Sequence, residues 1–217
     1  MKIIYQKEAG VLSISQKTYI NRISKDAIGP IESNASSEAA SSKASPSKTI
    51  LKPRIPLNYI PIKEQEHIAS TKAVKQYQSD IGSVNYANTV SRPDLALAVS
   101  MLSQFLVNPN EEHQKLATRL LAYTGGTSNY TLIYRANSNK SSNGVLEKSD
   151  ENNLDLWGHV DASYASGADM KSRTGFVFFF AGAPISWKSQ QQSSTTKSSA
   201  EAEYMALSAV GSEAIWL

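Results

Sequence analysis

The chain has 217 residues, 41% hydrophobic and 19% charged, with 22 Lys and Arg against 19 Asp and Glu for a formal charge of +3. That length supports one or two small cored domains, and the slight basicity permits a nucleic-acid partner without requiring one. The absence of cysteine excludes disulfides, thiolate zinc sites and a cysteine nucleophile. The charged start and the lack of a long apolar run argue for an intracellular chain with neither signal peptide nor membrane span.

Met1–Gln6 and Val11–Ser15 alternate around the turn residues Glu8-Ala9-Gly10, which predicts a hairpin. Ser15 is placed to cap a helix over Gln16–Lys25, with Tyr19, Ile20 and Ile23 inward. Ser33–Thr49 is polar and of low complexity, too poor in apolar surface to offset its ordering entropy, and reads as a linker. Ile50–Ile62, with three prolines, extends it. Ala73–Tyr86 predicts a helix, and Arg92-Pro93-Asp94 opens another whose apolar face is Leu97, Val99, Met101, Leu102 and Phe105. Glu111–Tyr123 predicts a third helix, stopped by Gly125-Gly126, followed by a short strand over Tyr130–Tyr134. Asn139–Ser149 is a second polar connector.

The last third predicts strand, hairpin, strand, strand and helix. Leu156–Val160 leads to Asp161 at a strand end, Gly167 and Asp169 supply turn chemistry, Thr174–Ala181 is a buried strand and Pro184–Lys188 a third. On a helical period over Ser198–Leu217, Ala200, Glu203, Leu207, Val210, Ala214 and Leu217 share one face, while Glu201 points to solvent. Glu203 is the one charge on that apolar stripe, and burying it calls for a partner or a cation. Asp161 is the obvious companion, and two convergent carboxylates without cysteine suit Mg²⁺ or Mn²⁺. Taken singly, a strand-end Asp is more often a turn or capping residue, and a first-turn Glu usually complements the helix dipole.

The ordered motifs HVDASYA, KSRTGFVFFFAGAPISWKS and SSAEAEYMALS resemble the ribonuclease H domain of copia-type LTR retrotransposon Pol polyproteins. The resemblance extends upstream to Ile81-Gly82-Ser83, Ser91-Arg92-Pro93-Asp94, Asn108-Pro109, His113 and Gly126-Thr127, which match the family's thumb and connection. It also covers the opening hairpin and helix. It implies an α+β fold: a helical thumb/connection remnant, then a truncated ribonuclease H-like mixed-sheet domain. The implied division is 1–28 the end of the palm/thumb, 29–50 the linker, 51–138 the thumb/connection, 139–153 a connector and 154–217 the ribonuclease H-like part. By position Asp161 and Glu203 become the catalytic metal ligands. Asp161-Ala162-Ser163-Tyr164 departs from the family's Asp-Ala-Asp-Trp without losing the first ligand. The implied activity is metal-dependent hydrolysis of the RNA strand of RNA·DNA hybrids, with the hybrid and the rest of Pol as partners. The polymerase Tyr-Val-Asp-Asp is absent, and the family's later carboxylates follow the position of Leu217, so weak or no activity is expected of the chain alone.

Lys171, Arg173 and Lys188 near the site, and Lys115 with Arg119 one turn apart, are candidate backbone contacts, since a hybrid is read by shape, 2′-hydroxyl and phosphate. A solvated face is the plainer account of the Lys115/Arg119 pair. His113 has no second ligand at metal spacing and reads as structural; His67 and His159 carry no motif, although His159 shares a strand face with Asp161. The competing readings are a non-catalytic nucleic-acid-binding remnant and a non-functional relic prone to aggregate through TGFVFFFAGA.

Overall fold

A computed structural model describes residues 1–28, 68–136, 155–166 and 169–217. The expected linker and its extension, His67, the connector over 139–149 and Gly167 lie outside them. Strands β1 (Lys2–Gln6) and β2 (Val11–Ser15) form the expected hairpin, whose turn uses Gly10 at φ +61°. Strand β3 (Thr131–Arg135) pairs antiparallel on the other side of β2, giving the order β1-β2-β3.

Helix α1 (Lys17–Ile28) follows β2 and buries Ile20 and Ile23, with Tyr19 packed beside them. Helix α2 (Thr71–Ser91) is capped by Ser70, whose hydroxyl accepts from the Ala73 N–H. It overruns the predicted span at both ends, because Tyr77, Ile81, Val84, Ala87 and Ser91 recur on one buried face although Asn85, Asn88 and Thr89 dilute the local signal. After Arg92 a 3₁₀ turn (Pro93–Leu95) leads into α3 (Ala96–Leu102), a second 3₁₀ turn (Ser103–Phe105) and α4 (Glu111–Gly126). The four helices enclose the main core of Ile20, Tyr77, Val84, Leu95, Leu102 and Leu121, among others.

Two local expectations change. The 3₁₀ turn shifts the helical phase, so Leu95 and Ala98 are buried while Leu97 is 44% exposed. Gly125 lies within α4 and Gly126 is its last residue, so the helix runs three residues past Tyr123. A Cβ on Gly125 would sit 2.7 Å from Ser24 Oγ, so this glycine lets α1 approach α4.

Arg92, fully buried, ties these helices together. Its Nε and one terminal nitrogen form a fork on Asp94 at 2.9 and 2.7 Å, and both terminal nitrogens reach Thr127, at its carbonyl and its hydroxyl. The Tyr123 hydroxyl donates to the same Asp94 carboxylate, and burial with that negative neighbour pushes its pKa up to about 12.

The second sheet contains β4 (Trp157–Ser163), β5 (Arg173–Phe180) and β6 (Ala183–Gln191) in sequential antiparallel order, followed by α5 (Ser199–Trp216). The fold is α+β as expected, but among the described residues this sheet is antiparallel rather than mixed. The links between its strands are too short for the crossover that parallel pairing requires. Ala181 and Gly182, at φ +50° and +79°, close the β5–β6 hairpin as a two-residue turn with both central residues left-handed. Both sheets meet at this turn, where the Arg135 N–H donates to the Ala181 carbonyl and the Tyr134 hydroxyl to that of Pro184.

Candidate functional site

Strand β4 extends past Val160 to Ser163, so Asp161 lies inside the strand, opposite Gly175 of β5. Side chains alternate across a sheet, which puts Trp157, His159, Asp161 and Ser163 on one face and Gly158, Val160 and Ala162 on the other. Helix α5 covers the second face. Gln192 donates to the Ala202 carbonyl and to Thr174, and Ser186 donates to Glu213, holding helix and sheet together.

The inward face of α5 is not the one its apolar period suggests. Ala202 and Ala206 are fully buried, Glu203, Met205, Ala209, Val210 and Glu213 are half-buried, and Leu207 is 51% exposed. Small side chains win this position because they let the helix backbone come close to the sheet. Glu203 therefore lies at the border of the contact. Its Oε1 accepts from the Ala162 N–H at 3.3 Å, on the outer edge of β4 and one residue from Asp161. Asp161 is exposed, on the face turned away from α5. The two residues thus lie at one strand edge but on opposite faces of β4, with Glu203 held by backbone and, among the described residues, neither carboxylate in an ion pair. Glu201 is exposed as expected and caps the helix: its N–H donates to Ser198 and its carboxylate accepts from the Lys197 N–H.

The candidate cations separate into different environments. Arg173 is buried and donates to Ser100 Oγ of α3 at 2.6 Å; burial lowers its pKa, partly offset by Asp169. Lys171 lies 3.8 Å from Asp169, Lys188 is exposed on β6, and Lys115 and Arg119 are exposed on α4. His113 is fully buried. Its Nδ1 accepts from the Asn110 N–H while Asn110 Oδ1 accepts from the His113 N–H, and its ring stacks on Phe105 at 3.8 Å. The structural reading of His113 is the one this geometry supports. Ser100 and Asn88, which accepts from Trp187 Nε1 through its carbonyl, carried no signal in sequence, because their partners are 73 and 99 residues away.

A groove of about 570 Å³ runs over the open face of β4 and β5, bounded across the gap by Pro93 and Leu97 and reaching Asp161 and Ser163. Among the described residues no group of three or more His, Cys, Asp or Glu is placed to hold a metal, and no helix is long and apolar enough to cross a membrane.

Over its whole length the chain is 32% identical to the retrovirus-related Pol polyprotein from transposon TNT 1-94 of Nicotiana tabacum. Over 143 residues it is 34% identical to the Pol polyprotein from transposon RE1 of Arabidopsis thaliana. The chain belongs to the copia-type retrotransposon Pol family. This Pol segment spans 14% of the tobacco polyprotein and 9% of the Arabidopsis one. It is also 37% identical over 143 residues to the secreted RxLR effector protein 161 of Plasmopara viticola, covering 90% of that protein. No family model and no solved structure matches the Pol segment.

Proposed function

We propose that the Pol segment carries thumb/connection and ribonuclease H portions of its polyprotein, and that the parent activity is hydrolysis of the RNA strand of RNA·DNA hybrids. The observation that carries this reading is the bond from Ala162 N–H to Glu203. It fastens the half-buried carboxylate of α5 to the edge of the strand that bears Asp161.

The donor set fits a hard divalent cation: carboxylate oxygens, with no sulfur, and too few of them to displace all the water that Mg²⁺ prefers to keep. Mg²⁺ or Mn²⁺ held by Asp161 and Glu203 would supply Lewis-acid stabilisation of the scissile phosphate and a more acidic water. The protein's own contribution is positional. Glu203 is fixed by the backbone it accepts from, and Asp161 lies on the rim of an open groove that an extended phosphodiester can reach. Arg173, through Ser100, anchors the β4–β5 pair to α3. With two carboxylates alone, activity of the isolated segment is expected to be weak.

Cleavage of a labelled RNA·DNA hybrid in Mg²⁺ and Mn²⁺ tests this. Any cleavage is expected to vanish in both Asp161→Asn and Glu203→Gln, and cleavage that persists in either variant refutes the assignment. A second reading is a stand-alone, non-catalytic nucleic-acid binder. Its stand-alone part is favoured by the near-complete coverage of a relative described as an effector rather than as a polyprotein. Duplex binding that is salt-dependent, metal-independent and unchanged by Glu203→Gln would support it.

A further inference from the structure

We propose that Trp157, His159 and Phe179 form a stacking platform for an unpaired nucleobase beside Asp161; as a subsite of the hybrid site, it rests on the reading above. Trp157 lies parallel to its cross-strand partner Phe179, with centroids 4.4 Å apart and planes 13° apart. His159 meets both rings edge-on, at 5.2 Å and 6.4 Å. The three side chains hold one another in place, and none of the described residues covers them, so most of their ordering cost is met before a ligand arrives. Yet Trp157 is 48% exposed and His159 is also exposed. An apolar cluster of this kind is normally buried, and an exposed, rigid one offers a π-face to a flat partner.

Position narrows the partner to a base. Asp161 follows His159 by two residues on the same face, a rise of about 6.6 Å. A chain whose phosphate is held through a divalent cation at Asp161 can therefore lay a neighbouring base on the rings. The accessible charge in the groove is mixed and does not by itself favour phosphate. Asp94 is engaged by Arg92 and Arg173 by Ser100, which leaves Asp161 and Lys188, of opposite sign, as the exposed charges of the groove. These two charges offset one another, and the surface that remains beside Asp161 is aromatic. Bases inside a duplex present no free face, so the platform selects a single-stranded nucleotide flanking the hybrid.

The test is fluorescence anisotropy on the full chain in Ca²⁺ with three labelled probes: a blunt RNA·DNA hybrid, the same hybrid with a short single-stranded overhang, and the single strand alone. The overhang is expected to tighten binding by roughly tenfold, and Trp157→Ala to abolish most of that advantage. Trp157→Leu, which keeps bulk over Phe179, should do the same while melting like the parent protein, separating loss of stacking from loss of fold. No advantage from the overhang, or an advantage that survives both substitutions, overturns the platform. Hybrid cleavage with no effect of Trp157 refutes the platform and spares the hydrolase reading. Single-strand binding that depends on Trp157, together with hybrid cleavage that persists in Asp161→Asn or Glu203→Gln, retains the platform and refutes the hydrolase assignment.

Discussion

Gly158 lies where β4 crosses the ring of Phe178. A Cβ there would come 2.7 Å from that ring and 2.9 Å from the Val177 carbonyl, and backbone cannot yield as a flexible side chain does. Gly158→Ala is expected to destabilise the protein by about 1–3 kcal/mol, the usual cost of forcing atoms into a filled space. Gly175, on the neighbouring strand, has open space around its Cβ position. Gly175→Ala should leave stability within about 1 kcal/mol of the parent or raise it by narrowing the unfolded ensemble. Urea unfolding of the pair checks this, and equal losses would show that strand propensity rather than crowding governs both sites. The same scale decides Glu203: its neighbour Ala202 is buried completely, and the carboxylate is left at the border where it meets a backbone N–H instead of an apolar wall.

At the level of elements, α4 depends on a histidine where a glutamate or glutamine usually closes the capping box. His113 Nδ1 can accept the Asn110 N–H only while unprotonated. Burial lowers its pKa from 6.5, against the opposing effect of Glu112. The unfolded chain then takes up a proton more readily than the folded one. The stabilisation is therefore complete above about pH 6.5 and is lost as pH falls through the lower folded value. Thermal melts between about pH 7.5 and 5 should show His113→Gln, which keeps an acceptor that does not titrate, losing less stability on acidification than the parent. Parallel pH profiles for the two proteins would exclude the capping role.

Across the whole molecule, a few long-range bonds join the helical core to the second sheet. Arg173 to Ser100 and Trp187 to the Asn88 carbonyl fasten β5 and β6 to α3 and α2, and the Ala181–Gly182 turn accepts β3. Arg173→Ala should lower stability by about 1.5–3 kcal/mol, the range for a hydrogen bond to a charged group. In combination with Ser100→Ala the loss should be less than additive, because both changes remove one bond. Additive losses in a double-mutant cycle would mean the two side chains act independently. The arrangement also explains why a cation chosen as a phosphate contact from its place in the hairpin is found spanning to α3.

The sequence by itself determined the family, the α+β class, and the order of nearly every element. These depend on local patterns: alternation in the strands, Ile20 and Ile23 on one turn of α1, Ser198 before α5, and motifs whose order survives without knowledge of contacts. It also offers Asp161 and Glu203 as candidate metal ligands. Only the tertiary structure decided which face of α5 turns inward, because Ala202 and Ala206 are chosen by how close helix and sheet approach, whereas hydrophobicity alone favours Leu207. It alone decided that Gly125 serves helix packing, that Arg173 is buried and that Asp161 faces away from α5. Each of these depends on which atoms fill the space opposite, and the partners are supplied by distant parts of the chain or by strand parity beyond a predicted boundary.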